Sequence, residues 1–140
     1  MPIRLAVESD VDQIRALIKS IPGLWHSDWR PDVLERAIRS AEGLAVVWLE
    51  GNELIGFACA HDVGFLAYLS LLAVAESARG QGIGAALIHH IEQTLAGWDC
   101  AILISDVWKD AAGFYESLGW SAPPVILLRH RLLDSSSTPL

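Results

Sequence analysis

Apolar positions recur along the chain with two different periods, and each change of period marks the edge of an element. Ile3 to Ala6 suits a short strand. From Val11 the spacing turns helical: Val11, Ile14, Leu17, Ile18 and Ile21 share one face, Ser9 and Asp10 stand ahead as caps, and Pro22-Gly23 stops the run. Leu24 to Arg30 breaks the period and reads as a loop. Pro31 then suits the first position of a second helix, with Val33, Leu34, Ala37 and Ile38 on its buried face and its end before Gly43. Leu44 to Glu50 and Glu53 to His61 read as two strands of a hairpin turning at Gly51-Asn52, and Asp62-Val63-Gly64 turns the chain again.

Tyr68 to Val74 is an apolar run too short for a stable helix and suited to a buried strand. Glu76 to Arg79 interrupts it. Gly80, Gly82 and Gly84 follow, alternating with Gln81 and Ile83. After them Ile83, Leu87, Ile88, Ile91 and Leu95 return to helical spacing, and Gly97 ends the helix. Cys100 to Ser105 reads as a buried strand, Ala111 to Leu118 as a helix capped by Asp110, and Val125 to Leu132 as a last strand beyond the bend at Pro123-Pro124. A strand, a helix and a second strand in succession form a right-handed parallel unit. The expected fold is therefore a single α/β (α+β) domain over residues 1–133. Its mixed sheet is antiparallel in the first half, parallel at the glycine loop, and flanked by about four helices. The polar tail from Asp134 to Leu140 is expected to be disordered.

Composition narrows the function. The 140 residues suit one domain, and at 52% hydrophobic they supply a substantial core. No apolar run approaches the ~18 residues of a membrane span. Met-Pro-Ile-Arg does not read as a secretion signal, so the expected setting is soluble and cytoplasmic. A net charge of -7 argues against nucleic-acid binding. Cys59 and Cys100 form no metal-ligand spacing, and each sits in an apolar run that predicts a reduced core residue. His89 and His90 are adjacent, not four apart, and no metal is expected.

The glycine stretch carries the candidate chemistry. The first turn of a helix has backbone N–H groups without partners and a dipole that favours negative charge. Glycines remove the Cβ atoms that would hold a phosphate off those donors, and Arg79 can add a guanidinium. The P-loop ending Gly-Lys-Ser/Thr is missing. Gly80-x-Gly82-x-x-Ala85 fits a loose dinucleotide fingerprint, with Asp106 roughly placed for a ribose. Ala75 to Arg79, however, intervene between strand and loop, and an antiparallel meander precedes them.

Arg79-Gly80-Gln81-Gly82-Ile83-Gly84 instead resembles the acetyl-CoA loop of the GNAT superfamily of N-acetyltransferases. Leu72-Ala73-Val74 before it is similar to that family too. So is the later Ala111-Ala112-Gly113-Phe114-Tyr115-Glu116-Ser117-Leu118-Gly119-Trp120, a helix carrying Phe-Tyr and closing on Leu-Gly-aromatic. The resemblance implies that acetyl-CoA binds as co-substrate along Leu72, Ala73, Val74, Arg79, Gly80, Gln81, Gly82, Ile83, Gly84 and Ala85, its pantetheine arm lying between two splayed parallel strands. It implies that Tyr115 protonates the leaving thiolate. Trp25, Trp29 and Tyr68 become candidates for the acceptor side. The base stays open between His61, whose ordinary pKa suits the task, and Glu76 at the strand's end. Trp108 stands where the family often places an asparagine. The function implied is transfer of an acetyl group to a primary amine of a small molecule or peptide. The alternative is a non-catalytic acyl-CoA-binding or protein-interaction module. An acidic, tryptophan-bearing mouth would suit a cationic or aromatic acceptor. The apolar strand from Val125 to Leu128 offers an edge for a homodimer.

Overall fold

A computed structural model describes residues 2–134. Strand β1 (Ile3–Leu5) leads into α1 (Val11–Ser20) and α2 (Val33–Ala41). Strands β2 (Ala45–Glu50), β3 (Glu53–Asp62) and β4 (Ala67–Val74) form the meander. Helix α3 (Ile83–Gly97), strand β5 (Leu103–Ile104) and helix α4 (Ala112–Ser117) complete the described elements. The sheet runs β1-β2-β3-β4-β5. Neighbours from β1 to β4 are antiparallel, and β4 with β5 is parallel.

The two faces of the sheet bury different helices. Helices α1 and α2 pack on β3 from one side, where the Cys59 thiol points at the Ala37 carbonyl of α2. Helix α3 covers the other face, and there Gly56 of β3 lets it come close. A Cβ at Gly56 would stand 3.1 Å from Ile83 Cγ2, Leu87 Cδ1 and Trp48 Cβ. The predicted helical faces are the buried ones: Val11, Ile14, Leu17 and Ile18 in α1, and Ile83, Leu87, Ile88, Ile91 and Leu95 in α3. At the entrance to α1 the structure differs from the simple cap expected of Asp10. Its buried carboxylate takes a forked bond from Arg4 at 2.8 and 2.9 Å and another from the Val7 N–H, tying β1 to the helix start. The guanidinium holds this carboxyl below its ordinary range.

Two expectations fail near the C-terminus. The strand predicted over Cys100 to Ser105 is ordered as strand only at Leu103–Ile104, and Ile102 and Ile104 are exposed. The last strand predicted over Val125 to Leu132 does not form: that segment is extended coil with its large apolar side chains in solvent. Apolar content alone does not make a strand, which also needs a partner for its N–H and C=O groups. Pro123 and Pro124 supply no N–H, and Val125 donates its own to the Pro123 carbonyl at 2.8 Å. Cys100 is half-buried, whereas Cys59 is in the core as predicted. The tail predicted to be disordered falls, from residue 135 on, outside the described residues.

Candidate active site

The glycine stretch opens α3. Gly80 and Gly82 have φ of +82° and +77°, a left-handed backbone that side chains resist, and Gly82 is the residue that caps the helix. The first helical bond runs from Ala86 N–H to the Gly82 carbonyl at 3.0 Å, so the N–H groups of Ile83, Gly84 and Ala85 lie in the turn that has no helical acceptor. Arg79 and Gln81 are exposed beside it. A Cβ at Gly84 would meet Phe114 Cζ at 3.4 Å, Val74 Cγ2 at 3.6 Å and Leu72 Cδ2 at 3.7 Å. The loop, the end of β4 and the start of α4 thus converge on one point.

Strand β4 is released from its parallel neighbour before it reaches that point. Ladder pairs join Ala67 to Leu103 and Tyr68 to Ile104, and Ser105 Oγ reaches the Leu69 carbonyl at 2.8 Å. Among the described residues no further pair joins the two strands, while β4 continues to Val74. Its last residues, Leu72 to Val74, therefore keep backbone groups facing an opening on the β5 side.

On the α1–α2 face a polar cluster flanks this opening. His61 of β3 lies opposite Tyr68 of β4. The register then shifts: Ala60 pairs with Leu69 and Cys59 with Leu71, leaving Ser70 as the extra residue of a bulge. The bulge turns Ser70 Oγ to within 2.8 Å of His61 Nε2 and lets its hydroxyl donate to the Cys59 carbonyl at 3.1 Å. Ser40 of α2 likewise donates to the Ala37 carbonyl at 3.2 Å, so each ring nitrogen of His61 faces a serine oxygen whose own hydrogen has a carbonyl partner, and the hydrogen of the neutral imidazole can sit on either nitrogen. Nδ1 faces Ser40 Oγ of α2 at 3.0 Å. Burial lowers the His61 pKa below its ordinary 6.5, which keeps the ring neutral near pH 7. Tyr68 donates to Asp106 beyond β5; burial first and that carboxylate second push its own pKa well up. Burial raises the neighbouring Cys59 thiol to about 11, so it is a poor nucleophile.

Tyr115 comes from the other side. It is half-buried in α4, edge-on to Phe114 and Trp120 with ring centroids 5.1 and 5.2 Å away, and Trp120 donates to Glu92 of α3 at 3.2 Å. Desolvation raises its pKa above the usual 10 and keeps the hydroxyl protonated.

The remaining sequence candidates lie further apart. Glu76 is exposed in the 3-10 turn Glu76–Ala78, between β4 and the loop and outside the His61 cluster. Trp25 and Trp29 pack edge-to-face at 5.1 Å in the α1–α2 connection, half-buried against the core, with Lys19 Nζ 4.9 Å from the Trp25 ring. Trp108 is 67% exposed just before α4. Among the described residues no group of acidic, His and Cys side chains is arranged to hold a metal, and no helix is long and apolar enough to cross a membrane. Ser40 and Ser70 are the members that the sequence did not reveal. They lie 21 and nine residues from His61, and neither a bulge nor a helix–strand contact leaves a local signature.

The chain matches the acetyltransferase (GNAT) family over residues 11–120. No curated protein is similar enough to count as a match. Among solved structures, a transcriptional regulator from Bacillus halodurans C-125 superposes with a TM-score of 0.75 at 23% identity, over 92% of this chain and 98% of its own. An aminoglycoside antibiotic 6'-N-acetyltransferase from Acinetobacter haemolyticus gives 0.71 at 18% identity, over 96% and 100%. The N-acetylglutamate synthase from Neisseria gonorrhoeae, solved with coenzyme A and N-acetyl-glutamate, gives 0.69 at 24% over 82% of this chain and 27% of that longer one. At these identities the likeness is one of fold.

Proposed function

The chain belongs to the GNAT family of acetyltransferases, and from that premise we propose that it moves an acetyl group from acetyl-CoA to a primary amine by direct attack within a ternary complex. One observation carries the reading. The glycine loop at the start of α3 meets the free end of β4 and the start of α4, with Leu72, Val74 and Phe114 all beside Gly84; a neutral histidine stands opposite Tyr68 earlier on β4, and a protonated tyrosine follows Phe114 in α4.

The loop N–H groups and Arg79 would hold the pyrophosphate. The exposed backbone from Leu72 to Val74 would bond the amides of the pantetheine arm and polarise the thioester carbonyl. The amine attacks that carbonyl: a C–N bond forms and the C–S bond breaks. His61 takes the surplus proton of the amine on a ring nitrogen, directly or by way of Ser40, and Tyr115 returns a proton to the departing thiolate. Holding both substrates in this geometry supplies much of the rate. Glu76, facing solvent beside the phosphate site, is the weaker candidate for base.

The module reading draws on a single feature, the exposed Trp108 at the place where the family often has a polar cofactor contact. Amine-dependent release of the coenzyme A thiol separates the two. The acetyltransferase reading expects turnover that Tyr115→Phe lowers about 10²–10⁴-fold with acetyl-CoA affinity unchanged. Binding of acetyl-CoA without turnover on any amine would give the module reading the field.

A further inference from the structure

A groove of about 720 Å³ opens along α2, lined by Arg30, Val33, Arg36, Ala37, Arg39 and Ser40. Half of its lining residues are arginines, although the chain as a whole carries 17 acidic against 10 basic side chains. None of the lining residues is acidic. Arg36 gives its Nε to Asp32 at 2.8 Å, which leaves both terminal amino groups outside that bond, and Arg39 makes no ion pair among the described residues. The groove also borders the polar cluster: Ser40, a lining residue, is the neighbour of His61 Nδ1 at 3.0 Å.

We propose that this groove is the acceptor's anion subsite, so that the amine this protein acetylates is a small molecule bearing a carboxylate or phosphate group. The inference rests on the acetyl-transfer reading and adds the substrate class. An anionic group bound by the Arg30, Arg36 and Arg39 guanidiniums gains charge-assisted, forked hydrogen bonds. The same placement directs the rest of the molecule toward Ser40 and the His61 ring beside it. The site selects against the cationic acceptors that the acidic composition alone would suggest, because the local field is opposite in sign to the net charge. Carboxylate and phosphate share the chemistry of a compact anion with several acceptor oxygens, and a guanidinium fork fits both.

Two matched pairs of amines test the proposal: β-alanine against β-alaninamide, and phosphoethanolamine against ethanolamine. The anionic member of at least one pair is expected to be the better acceptor by at least about tenfold in kcat/KM, and which pair shows it identifies carboxylate or phosphate. Arg39→Glu and Arg30→Glu, both at exposed positions, are expected to remove that preference while leaving acetyl-CoA affinity unchanged. Turnover with no charge preference, or a preference that survives both substitutions, overturns the subsite and leaves the acetyltransferase reading standing. Calorimetric titration of the protein with β-alanine and with inorganic phosphate is the arm that needs no turnover. Arginine-dependent binding of either without acetylation of any amine keeps the groove as an anion site and sinks the acetyl-transfer reading. Neither turnover nor arginine-dependent binding overturns the subsite.

Discussion

Burial lowers the basicity of His61, and the sign of that shift sets a pH profile. A base whose pKa lies below 6.5 is already deprotonated at neutral pH, so the acid limb of kcat/KM is expected below that value. His61→Gln should abolish this limb and lower kcat/KM about 10²–10⁴-fold. Measured profiles of both proteins check it; a limb that survives the substitution assigns the base elsewhere. The same shift acts on folding. A histidine held neutral in the folded state contributes its full share of stability above the unfolded value of 6.5, and that share is lost as pH falls through the lower folded value. At this scale the sequence was informative about identity and poor about company. His61, Tyr68 and Tyr115 were visible as candidates because their residue types carry chemistry. The serines that flank the His61 ring, Ser70 through a bulge and Ser40 across a helix–strand contact, come from distant parts of the chain. The arginines of α2 were equally hidden, since charges along an exposed helical face usually do nothing but meet water.

Elements with a strong period were legible, and those that need a neighbour were not. Helices α1 and α3 and strands β2 to β4 follow the apolar pattern closely, because burying one face of each satisfies the pattern and the backbone together. The glycine loop was also readable from residue type alone, but not the left-handed backbone at Gly80 and Gly82. Strand β5 shrank to two residues and the C-terminal strand vanished because pairing, not hydrophobicity, defines a strand. Among the glycines, Gly56 leaves the least room for a side chain, because β3 there lies against Ile83 and Leu87 of α3. Gly56→Val is expected to destabilise the fold by about 1–3 kcal/mol through overpacking. Because α3 begins at the phosphate loop, acetyl-CoA affinity should weaken as well. Chemical denaturation and a cofactor titration of the same variant report both; unchanged stability would mean that α3 is free to move away from the sheet.

At the scale of the whole molecule, apolar side chains stand exposed in two places. Ile126, Leu128 and Leu132 are 82%, 81% and 88% exposed, and Ile102 and Ile104 stand open at the free edge of β5. Arg131 pairs with Asp28 at 2.5 Å, which holds the segment on the α1–α2 connection and not on its own β5. A dimer in which each C-terminal segment lay against the partner's β5 edge would cover both surfaces. Light scattering should therefore give twice the 15.2 kDa of one chain, and Leu128→Asp should return it to 15.2 kDa. A native chain that is already monomeric would contradict this.

The central claim is that the glycine loop holds acetyl-CoA, and a calorimetric titration of the purified chain with acetyl-CoA tests it most directly. The account predicts one-to-one binding of roughly micromolar strength. Gly82→Leu, which forces a side chain onto a backbone with φ of +77° at the cap of α3, should weaken it sharply without unfolding the rest. NAD(P) should produce no heat of binding. Absence of acetyl-CoA binding, or binding of NAD(P) in its place, would contradict the account at its root.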